Sequence, residues 1–102
     1  MNNMLCGDAQ IFAALDARDF LKSHGSSLSE VLHVIAGDRG IDLFCEADCS
    51  LDSLSPDPAR VGKALRDIHD LLAEAKTPSD RYADSFRWHG ARVADIAARL
   101  SR

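Results

Sequence analysis

Several features that would point to an activity or a compartment are missing from this sequence. No stretch approaches the ~20 apolar residues that a membrane-spanning helix requires. The N-terminal segment MNNMLCGDAQIF lacks the basic and apolar regions of a secretory signal. The cysteines number three, and an odd count argues against a disulfide framework. We therefore expect a cytoplasmic protein with no membrane segment.

Recognisable catalytic and ligand-binding motifs are also missing. The short segment AGDRG lacks the Lys-Ser/Thr pair that follows a phosphate-binding loop, and no Ser/His/Asp set can be singled out. Acidic residues outnumber basic ones, 16 to 12, which gives a net charge of −4. Nucleic-acid binding depends on clustered Lys and Arg, so we do not expect it. The sequence predicts a protein that is not an enzyme and carries no cofactor.

Length and composition favour one small folded domain. The chain has 102 residues, of which 46% are hydrophobic and 27% are charged, as in a globular protein. A chain of this size buries only somewhat over ~60% of its unfolded surface, so its core is thin. We expect a single helical domain over residues 1–102, and dimerisation is one way to extend such a core.

The first predicted helix is apolar on two sides. Asp8 is a suitable N-cap, and Gly25 is a suitable end. Ile11 and Leu15 fall on one side, whereas Ala13, Ala17, Phe20 and Leu21 fall on another. A helix that is apolar on two sides contacts two surfaces, one of which can be a second copy of the chain. We therefore predict a homodimer contact formed by Ile11, Phe12, Phe20 and Leu21.

A second helix and an extended segment are predicted next. Ser27 and Glu30 have the spacing of a capping box, and Gly37 or Gly40 would end the helix that follows. The segment IDLFCEADC then alternates apolar and polar residues, with Phe44 as the exception. Alternation of period two is typical of a strand. We predict a short extended segment at about 41–48 between the second and third helices.

The C-terminal half has the clearest helical pattern. Asp57 followed by Pro58 is a strong helix start, and the apolar face of this helix continues to about Lys76. Ser79 can cap a last helix that runs to about Leu100. Two amphipathic helices with a short link pack as an antiparallel hairpin. The predicted fold is therefore mainly α, with four helices.

The last helix carries a second row of residues away from its apolar stripe. Trp88 lies at roughly 240° from Tyr82 on the helical wheel. Its side of the helix also carries Arg81, Arg92, Asp95 and Arg99. Trp and Arg are the residues most enriched in binding hot spots. We predict that these five residues contact a partner protein; the alternative is that the N-terminal helices cover Trp88.

The two cysteines of the extended segment are predicted to be small structural residues. In a strand, Cys45 and Cys49 would lie ~13 Å apart, too far to share a metal ion or form a disulfide. We therefore predict no metal site. A thiol or metal sensor that uses this pair, with Cys6 as a further thiol, remains an alternative.

The leading functional hypothesis is a small non-enzymatic cytosolic regulator that binds another protein as an inhibitor, antiactivator or adaptor. Besides the sensor, a second alternative is a nucleic-acid-binding regulator. It would use arginines of the last helix, namely Arg81, Arg87, Arg92 and Arg99.

Overall fold

The computed structural model consists of α-helices, which confirms the mainly-α prediction. The helices are α1 (Asn2–Ala36), α2 (Asp38–Leu51), α3 (Pro58–Glu74) and α4 (Asp80–Leu100). The structure describes the backbone of residues 2–52 and 57–100, and the side chains of residues 10–52, 57–79 and 81–100. Cys6 and most of the predicted link between α2 and α3 therefore lie outside the side chains described.

α1 is one continuous helix of 35 residues, so the predicted boundaries at Asp8 and Gly25 are wrong. Gly25 does not end the helix; it makes room for a neighbouring ring instead. A Cβ atom on Gly25 would lie 3.2 Å from Cζ of Phe44, a side chain of α2. Glycine inside a helix costs about 1 kcal/mol relative to alanine. The packing of Phe44 against the bare backbone offsets this cost.

The predicted capping box is not formed either, because both of its side chains contact α4. The hydroxyl of Ser27 lies 3.1 Å from the hydroxyl of Ser85. The carboxylate of Glu30 accepts a hydrogen bond of 3.1 Å from the Tyr82 hydroxyl. These two side chains therefore join the middle of α1 to α4, and no helix begins at Ser27.

Gly37 separates α1 from α2, at one of the two predicted stop positions. Its φ angle is +60°, a conformation that glycine adopts without strain. Its N–H donates to the carbonyl of His33 at 2.8 Å, which closes the last turn of α1. The chain reverses here, and α2 returns along α1.

The predicted extended segment at 41–48 is wrong, because these residues form most of α2. The side of α2 that faces the core has the spacing of a helix and not of a strand. Its buried residues are Gly40, Ala47, Ser50 and Leu51, and Leu43 and Phe44 pack against the core from the same helix. Phe44, which broke the period-two alternation, belongs to this helical stripe. The apparent alternation came from exposed acids and cysteines on the opposite side.

Consecutive helices run antiparallel, in an up-down-up-down order. Gly62 near the start of α3 lies against Leu100 at the end of α4, which confirms the predicted C-terminal hairpin. Arg60 of α3 pairs with Glu46 of α2 at 3.2 Å. α3 begins as predicted, because the carboxylate of Asp57 accepts a hydrogen bond of 3.0 Å from the N–H of Ala59.

Buried apolar side chains of all four helices form one core. The largest fully buried ones are Leu28, Val31, Leu32, Val61, Leu65, Ile68, Val93 and Ile96. Phe20 and Leu21 also belong to this core, with 5% and 6% of their surface exposed. Their side chains therefore pack within the chain and are not available as the dimer contact that the sequence predicted.

The N-terminal part of α1 extends past the last described residue of α4. Arg99, one residue before the end of α4, pairs with Asp16 of α1. The pairs His24–Trp88 and Ser27–Ser85 set the antiparallel register, which places Leu100 near residue 12 of α1. Ile11 and Phe12 are 53% and 64% exposed there, and Leu15 is 39% exposed.

Candidate partner-binding groove

The side chain of Trp88 contacts rings of α1 and of its own helix, and part of it is exposed. Its ring centroid is 4.7 Å from that of His24 and 6.0 Å from that of Phe20, both on α1. His89 of α4 contacts its edge at 4.9 Å. Even so, 43% of Trp88 remains exposed. The sequence left open whether Trp88 is exposed or covered by the N-terminal helices. In the structure α1 covers part of the indole and leaves the rest exposed.

Arg92 lies beside the open part of Trp88. It follows Trp88 by one helical turn, and its guanidinium carbon is 6.0 Å from the centroid of the indole. This is the outer limit of a cation–π contact. The contact holds the charged group next to the aromatic surface, and Arg92 itself is exposed.

Two clefts flank the indole. The first has a volume of about 310 Å³ and is lined by Asp16, Asp19, Phe20, Ser23, His24, Trp88 and Arg92. The second has a volume of about 410 Å³ and is lined by His24, Ser27, Asp84, Ser85, Trp88 and His89. His24 and Trp88 form the wall that the clefts share. We call these clefts, with their shared wall, the α1–α4 groove.

The remaining residues of the predicted contact row have more local roles. The guanidinium of Arg99 pairs with Asp16 across the helices and lies 3.9 Å from Asp95 on its own helix. Arg81 lies over the ring of Tyr82, 5.4 Å from its centroid. Trp88 and Arg92 therefore line the α1–α4 groove, whereas Arg99 joins α4 to α1.

A buried histidine lies beneath the groove. His89 is only 1% exposed, and its Nε2 atom is 3.0 Å from the Ser27 hydroxyl. Its Nδ1 atom is buried without a hydrogen-bond partner among the described residues. A bare nitrogen lone pair is less costly to bury unpaired than an N–H group. We therefore assign the neutral tautomer in which Nε2–H donates to Ser27.

The environment of His89 favours its neutral form. Burial, with a smaller contribution from nearby His24, lowers the pKa of His89 from 6.5 to about 4. A proton on Nδ1 would also place a charged N–H where no described side chain or carbonyl accepts it. At neutral pH the ring is therefore an uncharged part of the floor beneath Trp88.

Trp88 and Arg92 were identified from the sequence, but the histidines of the groove were not. The signal that could have found them is the one-turn spacing of Phe20 and His24 on α1, and of Ser85 and His89 on α4. Pairing these two rows requires knowing that α1 and α4 are neighbours. The helical wheel of one helix alone cannot provide that.

The cysteine pair lies on α2, away from the groove. Cys45 and Cys49 are both exposed, and neither is in a disulfide. The predicted separation of ~13 Å and the predicted core role are both wrong, because residues four apart in a helix lie one turn apart on the same side. Among the described residues, no cluster of three or more His, Cys, Asp or Glu side chains is placed to hold a metal ion.

Comparison of the chain with protein-family models, curated proteins and solved structures found no match. Within the described part of the chain, no helix is both long enough and apolar enough to cross a membrane.

Proposed function

We propose that this protein is a small, non-enzymatic cytosolic regulator that acts by binding another protein in the α1–α4 groove. An inhibitor, an antiactivator and an adaptor all act in this way. The observation that carries the proposal is the position of Trp88. Its ring contacts three other rings, and part of its surface is nevertheless exposed to solvent.

A supported and exposed tryptophan is well suited to binding. Its large apolar surface gains free energy when a partner removes it from water, at roughly 25 cal/mol per Å². Because Phe20, His24 and His89 already contact the ring, little side-chain entropy remains to be lost on binding. Tryptophan is also among the residues that dominate measured hot spots.

The groove favours a partner segment with a particular chemistry. An apolar side chain would pack on the exposed part of Trp88, and Arg92, which lines the same cleft, would donate hydrogen bonds to an acceptor of the partner. Asp16 and Asp19 also line that cleft and Asp84 lines the other, so the groove as a whole does not favour an acidic segment. We therefore propose an amphipathic partner segment with an apolar anchor beside uncharged hydrogen-bond acceptors such as backbone carbonyls.

Nucleic-acid binding is the weaker alternative for the same helix. Arg87 pairs with Asp84 at 2.7 Å, and Arg99 pairs with Asp16. These carboxylates oppose the approach of phosphates to half of the arginines that the alternative requires. The alternative predicts an electrophoretic mobility shift with duplex or single-stranded DNA that weakens steeply with salt.

We also propose that the chain forms a homodimer through the N-terminal part of α1. Ile11, Phe12 and Leu15 lie within a turn and a half and keep 53%, 64% and 39% of their surfaces exposed. The same helix of a second copy, related by a two-fold axis, would cover this patch on both chains. Phe20 and Leu21 play no part in this revised contact.

Quantitative affinity capture from the native host tests the groove. We compare the wild-type chain with Arg92→Glu and Trp88→Ala, and use Val34→Ala as the matched control. Val34 is also 43% exposed and lies near the C-terminal end of α1, beyond the residues of this helix that line the groove. The proposal requires a protein whose capture falls at least tenfold with both groove variants and not with the control. Equal capture by all four chains contradicts it.

A further inference from the structure

The exposed side of α2 carries two thiols one helical turn apart. Cys45 and Cys49 occupy positions i and i+4 of a 14-residue helix, and both are exposed. Cβ atoms at this spacing are about 5–6 Å apart and point to the same side of the helix. The arrangement is independent of the α1–α4 groove and of the function proposed for it.

The helical turn between the two cysteines is held in place by the core. Ala47 is fully buried and Leu51 is 3% exposed. The hydroxyl of Ser50 donates to the carbonyl of Ala47 at 2.7 Å, and the guanidinium of Arg18 donates to the carbonyl of Leu51 at 2.9 Å. The spacing of the two thiols is therefore fixed by packing on the opposite side of the helix.

This spacing disfavours a disulfide and suits chelation. A disulfide requires Cβ atoms about 3.5–4.5 Å apart, so α2 would have to distort to form one. Two thiolates that bind one centre at about 2.3 Å lie roughly 3.3–3.8 Å from each other, the shorter value for a pyramidal trivalent arsenic and the longer for a tetrahedral metal. Side chains whose Cβ atoms are about 5–6 Å apart reach that sulfur separation by rotation about χ1 alone.

We propose that Cys45 and Cys49 together chelate a thiophilic centre that requires only two thiolate ligands. Trivalent organoarsenicals are the class of compound with this requirement. A closed tetrahedral zinc site needs four protein ligands. Among the described residues, no third His, Cys, Asp or Glu is placed to complete a metal site with the pair. Two-thiolate coordination is therefore the chemistry that this site can complete within one chain.

The reaction involves no change in oxidation state. With phenylarsine oxide, each thiol gives up its proton and forms one sulfur–arsenic bond, and the arsenic–oxygen bond is lost. The two protons leave with the oxygen as one molecule of water. The product is a ring that closes one turn of α2 and leaves the arsenic trivalent.

Intact-mass spectrometry of the folded protein with phenylarsine oxide tests the site. The wild-type chain binds one equivalent, and the adduct survives a challenge with excess monothiol. Cys45→Ser and Cys49→Ser each weaken retention about 10²-fold or more, because one sulfur–arsenic bond remains and the intramolecular advantage is lost. Cys6→Ser is the matched control and keeps the full affinity.

Three results would overturn the proposal. The first is an adduct that resists monothiol in either single variant, and the second is loss of the adduct in Cys6→Ser. The third is a fall in far-UV helicity when the arsenical binds, since chelation across an intact turn preserves α2. Both serines replace exposed side chains, so circular dichroism of the unliganded variants confirms that each still folds.

Discussion

The Nε2 atom of His89 lies 3.0 Å from the hydroxyl of Ser27, and this contact joins the middle of α1 to α4 beneath Trp88. The same hydroxyl lies 3.1 Å from that of Ser85, so a small polar chain runs through the floor of the groove. Because the other ring nitrogen is buried without a partner among the described residues, a second proton on His89 would be unsatisfied, and the folded state favours the neutral ring. The stability of the α1–α4 pair is therefore coupled to pH.

We predict that the free energy of unfolding falls as the pH is lowered from 6.5 to 4. The unfolded chain binds a proton at His89 near pH 6.5, whereas the folded chain does so only near pH 4. Between these values the unfolded state binds more protons, so acid favours it. At about 1.4 kcal/mol per pKa unit, the loss reaches roughly 2–3 kcal/mol.

Urea unfolding at a series of pH values measures this effect. His89→Phe keeps an aromatic ring and removes the titration, so its stability should change less between pH 6.5 and 4 than that of the wild type. His33→Gln removes an exposed histidine of α1 and should follow the wild-type curve. Parallel curves for all three chains would show that His89 is not the group responsible.

Opposite effects are expected from alanine at two glycines. A Cβ atom on Gly40 would lie 2.2 Å from the carbonyl oxygen of Leu32, a backbone atom that cannot rotate away. Gly40→Ala should therefore destabilise the protein by about 2–3 kcal/mol or more. A Cβ atom on Gly90 meets nothing within 4 Å, so Gly90→Ala should stabilise α4 by about 0.5–1 kcal/mol. Thermal unfolding distinguishes the two, and equal shifts would contradict the packing of α2 on α1.

Removing the guanidinium of Arg18 should loosen the end of α2. Its Nε and Nη2 atoms donate to the carbonyl of Leu51 at 3.3 Å and 2.9 Å. We expect Arg18→Met to lower the free energy of unfolding by about 1–2 kcal/mol and to speed amide exchange in the last turn of α2. Lys22→Met, at an exposed position one turn along α1, is the control. Equal exchange rates in the two variants would rule out this role.

Polar substitutions in the N-terminal part of α1 should change the oligomeric state and not the fold. Because Ile11 and Phe12 are 53% and 64% exposed, Ile11→Ser with Phe12→Ser removes little packing within the chain. Light scattering should give a dimer mass for the wild type and a monomer mass for the double variant, with unchanged circular dichroism. A wild-type monomer at micromolar concentration would exclude the proposed homodimer.

The sequence predicts α3 and α4 well because their local signals agree with their packing. Asp57 and Pro58 begin α3 as expected, and the apolar stripe of α4 is the side that enters the core. The errors at Gly25 and in α2 have a different origin. There the local structure depends on a contact between residues that are distant in the sequence, since Gly25 of α1 accommodates the ring of Phe44 of α2. Local capping rules and alternation contain no information about that contact.

The candidate groove was predicted only in part, for a similar reason. The position of Trp88 outside the apolar stripe follows from the sequence of α4 alone. His24 and Phe20, which support the indole, come from a helix more than 60 residues earlier in the chain. Their role depends on α1 and α4 lying side by side, and that follows from the tertiary arrangement.

The most direct test of the central claim places a photocrosslinking amino acid at the groove in the native host. The reporter replaces Ser23, an exposed residue that lines the groove, in one chain and Val34, an exposed residue of the same helix, in another. We predict a discrete adduct with one partner protein from position 23, none from position 34, and loss of the first when Trp88→Ala or Arg92→Glu is added. Identical adducts from both positions, or an adduct at position 23 that both groove substitutions leave unchanged, would contradict the proposed function.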